Sequence, residues 1–251
     1  MKNISRQVFV VLTIIVTIAI NILADALPIN GLNTAAISNK FVAYFVPAGY
    51  VFSIWGIIYI GLIAYAVYQA LPTQRENPRL QATGWWVVLG GLANCTWIFL
   101  WHYEQFIGTL CAMLILLATL IVVYLRLGIG QTKASSGETW TVRIPFSIYL
   151  GWITVATVAN FSDVLISMHW NQFGISAEVW MVVILLAVLV IAALMNHLRR
   201  DVAYAVVILW ALAGIAAKFP QAGIVTTATW VTFGLVAVSL IAAFLVKRKT
   251  A

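Results

Sequence analysis

The chain has 251 residues, of which 63% are hydrophobic and only 8% charged, against about 25% charged for a soluble globular domain. So few charges cannot cover that much apolar surface in water, which excludes a soluble domain and implies a polytopic membrane protein. The formal net charge of +7 does not point to nucleic acid, because the basic residues sit in short clusters between apolar runs, where membrane topology accounts for them.

A spanning helix needs about 20 mostly apolar residues. Eight segments meet or approach that length, at 7–26, 49–71, 82–102, 107–126, 143–165, 176–197, 202–218 and 224–246. The fold class read from them is all-α, an integral membrane bundle of about eight transmembrane helices. In the first, Lys2 and Arg6 precede an apolar run that ends at Ala24-Asp25-Ala26, a pattern shared with signal peptides. The run from Val8 to Ala24 exceeds the roughly 7–15 residues of a signal-peptide core, so the segment reads as a true span. The seventh is short, yet Arg199-Arg200 and Lys218-Phe219-Pro220 bound it on either side.

Charge sets the orientation. With the N-terminus cytoplasmic, the inner side collects Lys2, Arg6, Arg75, Arg79, Arg126, Lys133, Arg143, Arg199, Arg200, Lys247, Arg248 and Lys249. Only Lys40 and Lys218 fall outside. Reversing the chain would invert the bias, so both termini are expected in the cytoplasm.

Two loops are long. The outer loop 27–48 holds Pro28, Gly31 and Pro47 with the aromatic residues Phe41, Tyr44 and Phe45. The inner loop 127–142 holds Gly128, Gly130, Ser135, Ser136 and Gly137. No strand precedes those glycines and their spacing matches no phosphate cradle. The segment reads as a flexible linker.

Of the eleven tryptophans, Trp85, Trp86 and Trp140 fall near inner helix ends and Trp170 and Trp180 near outer ones, which suits an interfacial belt. Trp55, Trp97 and Trp152 lie deeper, each in a helical stripe. In the second span Phe52, Trp55 and Tyr59 share a face, in the third Asn94, Trp97 and Trp101 do, and in the fifth Tyr149, Trp152, Ala156 and Asn160. Helix–helix packing uses small and polar residues as readily as a pocket does. The topology, however, puts all three stripes at middle to outer depth beneath the 27–48 loop, where converging aromatic walls would form a pocket for a flat, mainly apolar ligand.

The fifth-span pattern Tyr149-Leu150-x-Trp152-x-x-x-Ala156-Thr157-x-x-Asn160 resembles the fifth helix of the TspO/translocator-protein family, the tryptophan-rich sensory proteins. Asn94 and Trp97 are similar to that family's Asn-x-x-Trp in its third helix. Pro47, Gly49, Val51, Phe52, Trp55 and Tyr59 resemble its Pro-Pro-x-Trp-Val-Phe…Trp…Tyr lead-in to the second. The resemblance covers residues 1–165 as a five-helix membrane domain and leaves 166–251 as an additional three-helix membrane segment. Ala48 stands for the second proline, Tyr50 for the tryptophan, and the Phe52-to-Trp55 interval is one residue shorter than usual. The resemblance implies binding of porphyrins and sterol-like or other apolar molecules at Pro47 and the three stripes, in a membrane-lipid setting. The expected location is a bacterial cytoplasmic (inner) membrane.

Asp163 lies three residues beyond Asn160 on nearly the same face. An ionisable group just inside a span is a functional candidate, placed to hold a cationic or hydrogen-bonding part of a ligand at the pocket mouth. His102, Glu104, His169 and Asn171 read as solvated helix-end residues rather than metal ligands, since no His pair is spaced by four. His197 and Asp201 read as capping and charge-pairing residues. Cys95 and Cys111 lie in apolar runs and read as small buried hydrophobes. Gly90, Gly91 and Ala93, and again Ala213 and Ala217, fit contacts within the bundle or a homodimer interface equally well. There are no paired carboxylates at mid-depth, no nucleophile beside a base and no metal-ligand spacing, so neither an enzyme nor a cofactor is expected. A secondary transporter is the alternative function. Against it, the span centres hold no Asp, Glu, Lys or Arg for ion coupling.

Overall fold

The computed structural model describes residues 2–27, 29–41 and 43–246. Pro28, Lys247, Arg248, Lys249 and the Lys2 side chain, all used in the sequence reading, lie outside the described residues. In lipid every backbone polar group must be bonded within the chain, and the apolar runs accordingly form helices. These are α1 (Lys2–Ala26), α2 (Thr34–Ser38), α3 (Ile54–Ala70), α4 (Pro78–His102), α5 (Phe106–Arg126), α6 (Ser136–Glu138), α7 (Ile144–Ser167), α8 (Ala177–Arg199), α9 (Val202–Lys218) and α10 (Ile224–Leu245). A 3-10 turn at Gly49–Ser53 leads into α3, and a π turn at Thr139–Arg143 joins α6 to α7. No strand occurs among the described residues. Seven helical stretches are long and apolar enough to cross a membrane, and α9 is a shorter apolar helix beside them.

Polar side chains set the helix ends. The Asn77 side chain accepts from the Arg79 and Leu80 amides ahead of α4, with Pro78 at the first position, where its missing N–H is harmless. Arg200 ends α8 in the left-handed region (φ 54°), and Asp201 begins α9 by accepting from the Tyr204 amide at 3.1 Å.

Within the bundle α4 packs between α1 and α5, α5 against α7, and α3 against α1 and α7. Helices α8, α9 and α10 pack on one another, and α9 joins them to α7. Gly90 and Gly91 serve contacts inside the chain. A Cβ at Gly90 would stand 2.8 Å from Thr119 Oγ1 of α5, and one at Gly91 2.9 Å from Thr17 Oγ1 of α1. On α9 Ala213 is half-buried and Ala217 exposed. The close approach there falls on Gly214 instead, where a side chain would run into Val51 and Pro47.

The basic residues gather at one end. Arg6 Nη2 donates to the Arg75 carbonyl, Arg126 Nη1 to that of Ala82, and Arg79 Nη2 to that of Lys133. The 127–142 segment, expected to be a flexible linker, is instead tied down there. Glu138 is buried and receives Arg79 Nη1 at 2.9 Å and Arg143 Nε at 3.1 Å. Arg143 also donates to the Thr132 carbonyl and hydroxyl. A carboxylate held between two guanidinium groups satisfies charges that would otherwise be stranded. Nearby, Asp201 does more than cap α9. Its Oδ2 accepts from the Tyr124 hydroxyl at 2.9 Å and from Ser147 Oγ at 2.6 Å, joining α5, α7 and α9.

The belt tryptophans divide as their positions suggest. Trp85 and Trp140 are exposed, Trp86 lies beneath the Arg126 guanidinium, and Trp170 and Trp180 meet at the opposite end with ring centroids 5.1 Å apart. Cys95 is buried, but Cys111 is exposed on the outer surface of α5, because it falls on the face of α5 away from the neighbouring helices.

Candidate functional site

The site is built from the three aromatic stripes. On α3 and its 3-10 lead-in, the Phe52 and Trp55 rings meet Trp152 of α7 edge-on, with centroids 5.6 Å and 6.3 Å away. Trp55 also meets Tyr149 edge-on at 6.0 Å and stacks on Tyr59 at 5.7 Å. On α4, Trp97 and Trp101 stack with centroids 5.3 Å apart. Edge-to-face and offset-stacked rings are the arrangements that their quadrupoles favour.

A cavity of about 50 Å³ lies where these rings converge. Its wall includes Pro47, Phe52, Trp55, Trp97, Trp101, Trp152, Ala156, Asn160 and Asp163, nine of the twelve residues singled out from sequence. The other lining residues are Thr34, Ser38 and Val46 from the 27–48 loop, Met113 of α5, and Val155 and Ala159 of α7. The last two complete the stripe, since 152, 155, 156, 159, 160 and 163 follow one helical face. That signal was present in the sequence.

Tyr59 lies outside the cavity and lines an adjoining cleft of about 590 Å³ between α1, α2, α3 and α4. Thr34, Phe52, Trp55 and Trp97 border both spaces. The rings of Phe52, Trp55 and Trp97 therefore stand as the partition between them.

The polar groups fall into two sets. In the first, every group is spent on holding helices together. Asn94 donates to the Tyr149 hydroxyl at 3.1 Å and accepts from Asn21 of α1 at 2.6 Å, and neither Asn94 nor Tyr149 lines the cavity. Trp97 Nε1 donates to Asn160 Oδ1 at 3.3 Å, and Asn160 Nδ2 donates to Thr109 Oγ1 at 2.9 Å. Trp101 Nε1 donates to the Thr34 carbonyl at 3.2 Å and so anchors the loop. His102, expected to be solvated, is buried. Its ring nitrogens meet the Ile29 carbonyl at 3.0 Å and Thr34 Oγ1 at 3.2 Å. A helix-end histidine becomes a loop anchor because the loop folds back over α4.

The second set, among the described residues, consists of two fully enclosed atoms at the cavity wall. Asp163 Oδ1 and Trp152 Nε1 are buried and have no hydrogen-bond partner, and both residues line the cavity. At the rim, Lys40 pairs with Glu104. Tyr44 donates to Glu178 Oε1 at 2.9 Å, and that hydrogen bond raises the Tyr44 phenol above its ordinary range. His169 and Asn171 are exposed. Among the described residues no group of three or more His, Cys, Asp or Glu side chains is placed to hold a metal ion.

No curated protein and no solved structure matches the chain. A family profile does: the one described as TSPO-like protein matches residues 7–244. That span runs over the seven long apolar stretches and the shorter α9, the last three helices included, together with the aromatic cavity. With the profile running over nearly the whole chain, this integral membrane protein belongs to the TSPO-like protein family.

Proposed function

We propose that the chain is a membrane ligand-binding or sensory protein whose aromatic cavity and adjoining cleft take a flat, apolar molecule, a tetrapyrrole or lipid-like compound, and assist its movement. The observation that carries this reading is the convergence of the α3, α4 and α7 stripes on one space. Aromatic walls with few polar groups are how proteins hold flat apolar ligands. The volumes divide the work. The inner cavity, about 50 Å³, takes a ring edge or small group, while the cleft, about 590 Å³, lies in the range of small-molecule sites, roughly 300–1,000 Å³. Membership of a family of generally non-enzymatic membrane proteins supports binding rather than catalysis.

In this reading residues 1–165 carry the pocket, since every lining residue of both spaces precedes 165, and residues 166–251 brace it. The basic end faces the cytoplasm of a bacterial inner membrane, with both termini on that side. The test is titration of the protein in nanodiscs with protoporphyrin IX, followed by tryptophan quenching, beside Trp55→Ala and Ala156→Leu variants. The first removes a wall and the second fills the cavity. Saturable quenching that weakens at least about tenfold in both, with unchanged helicity, supports the pocket. Equal binding by all three proteins refutes it.

A further inference from the structure

We propose that the cavity and its adjoining cleft select flat aromatic ligands that carry a protonated nitrogen, held in the inner cavity by the carboxylate of Asp163. This rests on the aromatic pocket proposed above and deepens it by naming a ligand class. Asp163 is only 1% exposed, faces the cavity, and leaves Oδ1 without a partner. A buried carboxylate in an apolar setting is costly unless a cation or donor meets it. Among the described residues no cation stands within ion-pair distance of it. Among the described residues the ion pairs are Lys40–Glu104, Arg79–Glu138 and Arg143–Glu138. Lys218 lies in the field of Asp163, yet its Nζ donates to Asn39 Oδ1 at 3.3 Å and sits over the Phe219 ring.

The shape of the cavity adds to the argument. The α7 wall runs from Trp152 to Asp163, three helical turns or roughly 16 Å. Along it the other polar groups already have partners. Asn160 is engaged on both sides of its amide, and the Trp97 and Trp101 indole N–H groups are bonded. What is left along the α7 wall is a carboxylate at one end and the Trp152 indole N–H at the other, with Val155, Ala156 and Ala159 between them. A neutral hydrocarbon would leave both unmet. A protonated amine reaching into the inner cavity answers the carboxylate, while the flat ring system that carries it meets the Phe52, Trp55 and Trp97 rings from the cleft.

Two isosteric probes test this, anthracenylmethylamine, which is cationic at neutral pH, and neutral ethylanthracene. Each is titrated into the protein in phosphatidylcholine nanodiscs and read by tryptophan quenching, with partition into empty nanodiscs subtracted. The amine is expected to bind at least about tenfold more tightly than ethylanthracene. Asp163→Asn is expected to erase that preference, and Asp163→Glu to keep it. Equal affinity of the two probes for the native chain, or a preference that survives in Asp163→Asn, overturns the inference and leaves the aromatic pocket standing. Should Asp163→Asn fail to fold, the comparison of probes on the native chain decides. If neither probe quenches saturably, the pocket reading falls and the inference with it.

Discussion

Asn94 and Asn160 look alike in sequence, each an amide on a helical face that carries a tryptophan, but only Asn160 lines the cavity. In Asn94→Ala the Tyr149 hydroxyl loses the amide that donates to it at 3.1 Å, and Asn21 loses its acceptor at 2.6 Å while keeping the Thr17 carbonyl at 2.8 Å. Hydrogen bonds between membrane helices are worth about 0.6 kcal/mol each on average and up to about 1.7. Alanine returns about 0.6 kcal/mol through its helix propensity. The net loss is about 0.6 kcal/mol at the average value and up to about 2.8, spread over the α1–α4–α7 contact. Because Asn94 does not line the cavity, affinity for a saturating porphyrin or anthracene probe should stay within about twofold. Unfolding in mixed micelles of rising SDS fraction, followed by helical circular dichroism, gives the first quantity, and tryptophan quenching the second. A tenfold loss of affinity at unchanged stability would refute this division of labour and return Asn94 to the ligand.

Other perturbations follow from the same contacts. Glu138→Gln strands the buried Arg143 guanidinium and should cost about 3 kcal/mol. Hydrogen exchange of amides 131–143 should quicken, whereas Lys40→Ala, at an exposed pair, should cost less than about 1 kcal/mol; equal effects would show the Glu138 cluster to be unimportant. Asp201→Ala removes a helix cap and the acceptor of two hydroxyls, for a loss of about 2–4 kcal/mol in the same SDS titration. Gly214→Val drives a side chain into Val51 and Pro47, so probe affinity should fall at least about tenfold through the displaced Pro47, and an unchanged affinity would separate α9 from the pocket.

Much of this architecture could be read from sequence because lipid leaves few choices. Segments 202–218 and 224–246 coincide with Val202–Lys218 and Ile224–Leu245 to within a residue, since the apolar runs break off at the residues that flank them. Hydropathy predicts a fifth span from 143, but the helical stretch begins at Ser136. There the Ser135 side chain caps the Glu138 amide at 3.1 Å, and the glycine-rich composition hid that cap. The stripes were legible because a helix repeats every 3.6 residues. What one sequence cannot express is the distant partner of a polar group. Asn94 and Tyr149 share their stripes with cavity residues, yet Asn94 is met by Asn21, 73 residues away. His102 reads as a solvated end in sequence because the fold of the loop that buries it depends on contacts with Ile29 and Thr34.

The last three helices show how the same logic reaches the pocket from outside. Helix α9 has 17 residues, about 25 Å of rise, short of the roughly 30 Å hydrocarbon layer. A helix that short gains little by spanning alone, so its value lies in what its side chains and backbone hold. Gly214 lets it approach the α3 lead-in closely enough for the Ala48 amide to donate to the Gly214 carbonyl at 3.1 Å. Trp210 Nε1 donates to the Val51 carbonyl at 3.2 Å, one residue before Phe52. Lys218 reaches Asn39, just beyond α2. Each contact falls next to a residue of the cavity wall, and none falls on the wall itself. Bracing of this kind fixes where Pro47 and Phe52 stand while leaving Asp163 and Trp152 unpartnered, so the binding free energy of a ligand need not be spent on ordering the loop that covers it.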